Sequence, residues 1–113
     1  MVILSQGGEK FRDAVAAIIL TGEYGSDATI ANESDTALGT PIAASIKTLA
    51  NTTSGLNIQS THELRSTEAN GNTLREFALQ DSALDLTRVI TTEVVKDATK
   101  EIITINTLTI SIN

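Results

Sequence analysis

A chain of 113 residues with 41% hydrophobic and 19% charged residues has the length and balance of one folded domain, which excludes a disordered tail and a membrane-spanning chain. A formal net charge of −6, with the eight Lys and Arg residues scattered singly, excludes the clustered basic surface that nucleic acid requires. The absence of cysteine excludes disulfides, thiolate chemistry and Cys-type zinc sites.

Aromatic residues make up only 3% of the chain, so Ile, Leu, Val and Ala must build the core, and self-association would supplement a core that is small per residue. The opening "MVIL" is too short for a signal-peptide core and lacks a basic start. No apolar run reaches the length of a membrane span. The expectation is synthesis in a cytosol and no membrane insertion.

The first element is a helix over 5–22, "SQGGEKFRDAVAAIILTG". Phe11, Val15, Ile18 and Ile19 recur at helical spacing, Ser5 or Gly8 can open the segment, and Gly22 can stop it. Its polar face offers only Lys10 and Arg12 as cations, too few for a membrane-surface helix, so its apolar face is expected to pack on a sheet. Residues 23–41 read as a loop rich in Gly, Ser, Asn, Asp and Thr, with room for a short strand near 27–31.

From Pro41 onward the period is two. Strands are expected over 42–50, 56–65, 73–80, 84–95 and 101–113, separated by "NTTSG", "STEANGN", "DSA" and "KDATK". Asn70-Gly71 supplies turn residues comfortable at positive φ. In the last strand the apolar parity changes between Ile103 and Ile105 on one side and Leu108, Ile110 and Ile112 on the other, which predicts a β-bulge near Asn106–Thr107 unless the first half is buried on both faces. The fold class is mainly β: an antiparallel β-sandwich over 42–113 with one N-terminal α-helix, in a single domain spanning 1–113.

A short hairpin between 73–80 and 84–93 would set Leu74 opposite Ile90, Ala78 opposite Leu86 and Glu76 opposite Arg88. Arg88 lies between two apolar residues and needs a partner, and Glu76 is the candidate. The reading is a structural ion pair. A catalytic reading would need a second carboxylate or a nucleophile in a converging set, and no such set is evident. No catalytic, cofactor or metal residues are assigned. His62, the one histidine, has no second His or Cys to form a metal site and reads as a structural or strand-edge residue. Asp27, Asn32, Glu33 and Asp35 are calcium-type oxygen ligands at a spacing unlike an EF-hand, so solvated turn acids are the plainer reading. Asn32-Glu33-Ser34 and Asn51-Thr52-Thr53 fit the glycosylation acceptor pattern.

The order of short motifs resembles a family of small tail-fibre or tail-tip, baseplate-associated structural proteins of tailed viruses and prophages. The motifs are the helix segment "QGGEKFRDAVAAIILTG", then "SDTAL" (34–38), "EANG" (68–71) and "LREFAL" (74–79), followed by Arg88, Lys96 and the closing "LTISI". The family often carries an Arg after the "DTAL" block, where this chain has Lys47, and aromatics where it has Gln80 and Asn106–Leu108. The resemblance covers nearly the whole chain. It implies a non-enzymatic virion component of a tail tip, fibre or baseplate, acting in assembly and host attachment. It also implies other virion proteins as partners, a homo-oligomer with a trimer favoured, and a host-surface receptor or glycan as a further partner. A capsid decoration protein and a small carbohydrate-binding module are the alternatives. The latter would present stacking aromatics, and only Phe11, Tyr24 and Phe77 exist.

Overall fold

The computed structural model describes residues 4–82 and 84–111. The opening residues 1–3, Ala83 of the "DSA" turn and Ile112 of the final strand lie outside the described residues. The helix is shorter than its pattern predicts: α1 spans Ser5–Ala16. Its last turn tightens as the Ile18 N–H donates to the Val15 carbonyl. Beyond it the side chain of Ile19 enters the core and the backbone of Leu20 is claimed by the sheets, with Leu20 N donating to Gln80 O and Leu20 O accepting from Leu49 N. Gly22, expected as a helix stop, instead lies in a buried strand, β1 (Thr21–Gly25), where the sequence reading placed the start of a loop.

The 42–50 segment is not one strand. Ala43–Ser45 forms a 3-10 turn and only β2 (Lys47–Thr48) is extended before Leu49. The chain then runs through β3 (Ala50–Ser54), which takes up most of the expected "NTTSG" turn, and the turn itself narrows to Gly55-Leu56. The remaining strands are β4 (Asn57–Leu64), β5 (Thr73–Asp81), β6 (Leu84–Asp85), β7 (Val89–Val95) and β8 (Ile102–Thr109). No strand forms over 27–31, because that segment serves as a cover for one sheet, as described below.

Two antiparallel sheets form a β-sandwich. One has the order β2-β1-β5, with β6 and β7 both on the far side of β5; the other has the order β3-β4-β8. The chain crosses between them at Leu49, between β2 and β3. Ile19, Tyr24, Leu49, Ile58, Leu64, Leu74, Phe77 and Leu79 fill the space between the sheets, with Val15 and Ala16 of α1 and Val94, Ile102 and Leu108 packed on its margin. Burying a side chain of this size stabilises by roughly 1.5–3 kcal/mol. Three rings meet edge-on at the centre. Tyr24 and Phe77 have centroids 4.9 Å apart, and His62 reaches Phe77 at 5.1 Å. The Tyr24 hydroxyl also bonds the Thr104 hydroxyl, tying the two sheets together.

The expected bulge is misplaced in the sequence reading. β8 pairs with β4 without interruption from Leu64↔Ile102 to Asn57↔Thr109, so nothing shifts at Asn106–Thr107. The parity change is met by exposing Ile103 and Ile105 while Ile102, Leu108 and Ile110 turn inward. The irregularity lies in the β5–β7 pair instead, where the single Arg75 between Leu74 and Glu76 stands against three residues of β7, Thr91–Glu93. Across this break Leu74 lies in the core with Phe77 and Leu79, while Glu76 is buried outside that cluster. The hairpin register therefore differs from the expected one: Leu74 faces Val94, Glu76 faces Ile90, and Arg88 lies in the break between β6 and β7.

Candidate functional site

Glu76 turns away from the core yet is completely buried, because the 26–41 loop folds over the outer face of β1 and β5. Its carboxylate holds that loop. Oε1 accepts from Gly39 N at 2.9 Å and from Arg88 Nε at 2.8 Å. Oε2 accepts from Asp27 N at 3.0 Å and Thr40 N at 2.9 Å. Burial alone would push the Glu76 carboxyl up, but the Thr40, Gly39 and Asp27 amides and the Arg88 guanidinium outweigh it and hold the group below the usual carboxylate range.

Arg88 extends the same network. Nη1 donates to Asp35 at 2.9 Å, Nη2 donates to the Thr29 carbonyl at 2.8 Å, and the Asp27 carboxylate stands 3.7 Å from Nη2. A guanidinium can reach three elements in one plane; a lysine ammonium could not. Its side chain is only 8% exposed, so this is a buried ion network and not a surface pair. Asp85 adds a further anchor by accepting from Leu38 N at 2.9 Å. Gly39 is required by close approach, since a Cβ there would run into the Asp27 carboxylate.

Beside this hub lies an open cleft of about 390 Å³, whose walls include Asn32, Asp35, Asp85, Thr87 and Arg88. Of the cleft's charged groups among the described residues, Asp35, Asp85 and Arg88 are already engaged with the loop and with one another, and only Glu33 is not. Glu76 is ionised, saturated by four donors and closed to solvent, which suits a frame and not proton transfer. Asp27 Oδ1 accepts from Thr29 N, and Asp35 Oδ2 from Asn32 N, so these acids cap their own turns. Among the described residues no group of three or more His, Asp or Glu side chains is placed to hold a metal ion. Asn51, in one of the two acceptor patterns, is half-buried and donates to Ile19 O at 2.6 Å. Asn32, in the other, is exposed.

Comparison with protein-family models, with curated proteins and with solved structures finds no match to this chain. Function must therefore be argued from the molecule. Among the described residues no helix is long and apolar enough to cross a membrane.

His62 is fully buried on the inner face of β4 and its Nε2–H donates to the Ser45 carbonyl at 2.8 Å. Burial pushes its pKa below 6.5, against the pull of the Ser45 carbonyl. A base with a depressed folded pKa takes up its proton more readily when unfolded, so stability falls as pH drops from 6.5 toward the folded value. In urea melts at pH 7, 6 and 5 the midpoint is expected to fall over this window. A His62→Gln variant, which keeps a donor for Ser45, should remove that slope, and a slope of the same size in the variant would assign it to other groups.

Sequence reasoning named Lys96 only as a motif residue in a polar break and missed its burial. It has no solvent exposure. Its ammonium donates to Asn70 Oδ1 at 2.7 Å and Asp97 O at 3.1 Å, with Ser66 O at 3.5 Å. Asn70 is therefore more than a turn residue, since its Nδ2 also donates to Ser66 O at 2.9 Å. In this turn positive φ belongs to Gly71 (+86°) and to Ala69 (55°), while Asn70 supplies side-chain bonds. The Gly71 N–H and the Asn72 carbonyl pair with the backbone of Lys96, closing the 65–72 loop over the lysine.

Proposed function

We propose that this chain is a structural assembly subunit and that its setting is the one its motif order resembles: the tail tip, fibre or baseplate of a tailed virus or prophage. The observation that supports this reading is the Glu76–Arg88 hub. It commits the most densely charged part of the molecule to fixing the 26–41 loop as a rigid surface on the sandwich. A pre-organised loop loses little entropy when it meets a neighbour, and repetition in an oligomer multiplies weak contacts into avidity. In this reading the partners are other virion proteins and a host-surface receptor or glycan.

The test is to purify particles released from cells that encode the chain, search them for its peptides by mass spectrometry, and locate it with antibody-labelled electron microscopy. Label at the tail end supports the reading. Label on the head would replace it with a decoration role, and absence from the particles would overturn it.

A further inference from the structure

The longer edge strands of the two sheets, β7 and β8, differ in how their edges are protected. β7 carries Glu93, paired with Arg75 at 3.0 Å, and its ladder with β5 is broken by a bulge. A charge and a bulge are the usual defences of an edge against a second strand. β8, "IITINTLT", has neither. It contains no charged residue, no proline and no glycine, and it runs in unbroken register against β4. Among the described residues no strand pairs with its other side.

The parity of β8 settles what that free edge offers. Ile110 N donates to Leu56 O at 2.8 Å, in the same register as the rest of the pair, so the even-numbered residues direct their backbone groups at β4. The odd-numbered residues, Ile103, Ile105, Thr107 and Thr109, direct theirs at the open edge. The same residues point their side chains outward, and Ile103 and Ile105 are 60% and 57% exposed. Free backbone donors and acceptors thus lie beside an exposed pair of branched apolar side chains.

We propose that this edge is a homodimer interface, in which β8 pairs antiparallel with β8 of a second copy. The identity of the occupant follows from charge and from symmetry. A chain of net charge −6 repels its own copies, and β8 is a long edge where they can meet without opposing like charges. Two-fold pairing about Thr104 sets Ile103 of each copy opposite Ile105 of the other, packs the four isoleucines side by side on one face, and joins the β3-β4-β8 sheets of the two copies into one continuous sheet. The proposal rests on the reading of the chain as an assembly subunit and names its first partner, but it is tested separately.

The experiment is light scattering on the full chain across a dilution series, with three variants. Ile105→Lys places a charge on the contact. Ile105→Pro removes an N–H that faces the open edge, so it spares the β4 ladder. Ile103→Glu places the opposite charge at the facing position. The wild type is expected to dimerise, and each variant should weaken association about tenfold or more. An equimolar mixture of the Ile105→Lys and Ile103→Glu chains should recover dimer, because in this register those positions oppose each other. Circular dichroism melts confirm that each variant is folded. A wild-type monomer at every concentration, a trimer, or a dimer indifferent to these substitutions overturns the proposal. A trimer would do so while favouring the tail-fibre reading, because a two-fold contact closes at two copies. The particle search tests that reading independently.

Discussion

Replacing Glu76 with Gln is expected to cost roughly 3–5 kcal/mol, the range for removing one partner from a buried ion pair. For a domain of this size that is a fall of roughly 10–20 °C in Tm. The substitution is nearly isosteric, so the loss comes from polarity. An amide has one acceptor oxygen, and its NH2 group would face N–H donors from the 26–41 loop that now meet a carboxylate oxygen. Arg88 would keep Asp35 at 2.9 Å but lose the fully buried carboxylate on its Nε. Hydrogen exchange should locate the damage, with protection lost at the amides of Asp27, Gly39 and Thr40 while the β4–β8 amides keep theirs relative to global stability.

The effect should also depend on pH. The folded pKa of Glu76 lies below its ordinary 4.5, so its ionised form contributes stability that is fully present above that value. That contribution is lost as pH falls through the folded pKa, and the gap between wild type and Glu76→Gln should narrow there. A variant whose Tm stays within a few degrees of wild type at pH 7 would mean that the loop is held by other contacts, and the hub would lose its place in the functional argument.

The class of the fold was legible because period-two apolar runs mark β4, β5 and β8 directly. The pairing of Glu76 with Arg88 was legible in its chemistry, since an arginine between Leu86 and Ile90 needs a carboxylate, but not in its register. The bulge in β7 opposite Arg75 is a backbone event that no side-chain pattern announces, and it shifts the register between Leu74 and Glu76. β1 was hidden for a related reason. "TGEYG" has two glycines and a glutamate, poor strand formers, and it is a central strand only because one side is covered by the aromatic core and the other by a loop. Ile103 and Ile105 misled in the opposite direction. Parity arguments assume that isoleucine is buried, and here the chain leaves both exposed on a free edge. The burial of Lys96 has no local signature, because lysine is almost never fully buried and two of its three acceptors come from a loop about thirty residues upstream.

Lys96 carries the second large expected effect. Its ammonium is held by neutral oxygens alone, the Asn70 side chain and the Asp97 and Ser66 carbonyls, so each bond is charge-assisted on one side only. Lys96→Met keeps most of the aliphatic stem and the volume but removes the donors. The expected cost is about 2–3 kcal/mol, from the lost charge-assisted bonds and the acceptors left without a donor, partly offset by no longer burying a charge. The direction of that offset can be read from a double-mutant cycle. Asn70→Leu alone takes the ammonium's shortest bond and leaves it only the Asp97 and Ser66 carbonyls, and the double variant, which removes both partners, should cost clearly less than the sum of the two. Urea denaturation of the four chains measures this. Additive costs would mean that Lys96 stabilises through its stem and not through Asn70, and the 65–72 loop would then be held by its backbone bonds to residue 96, which all four chains retain.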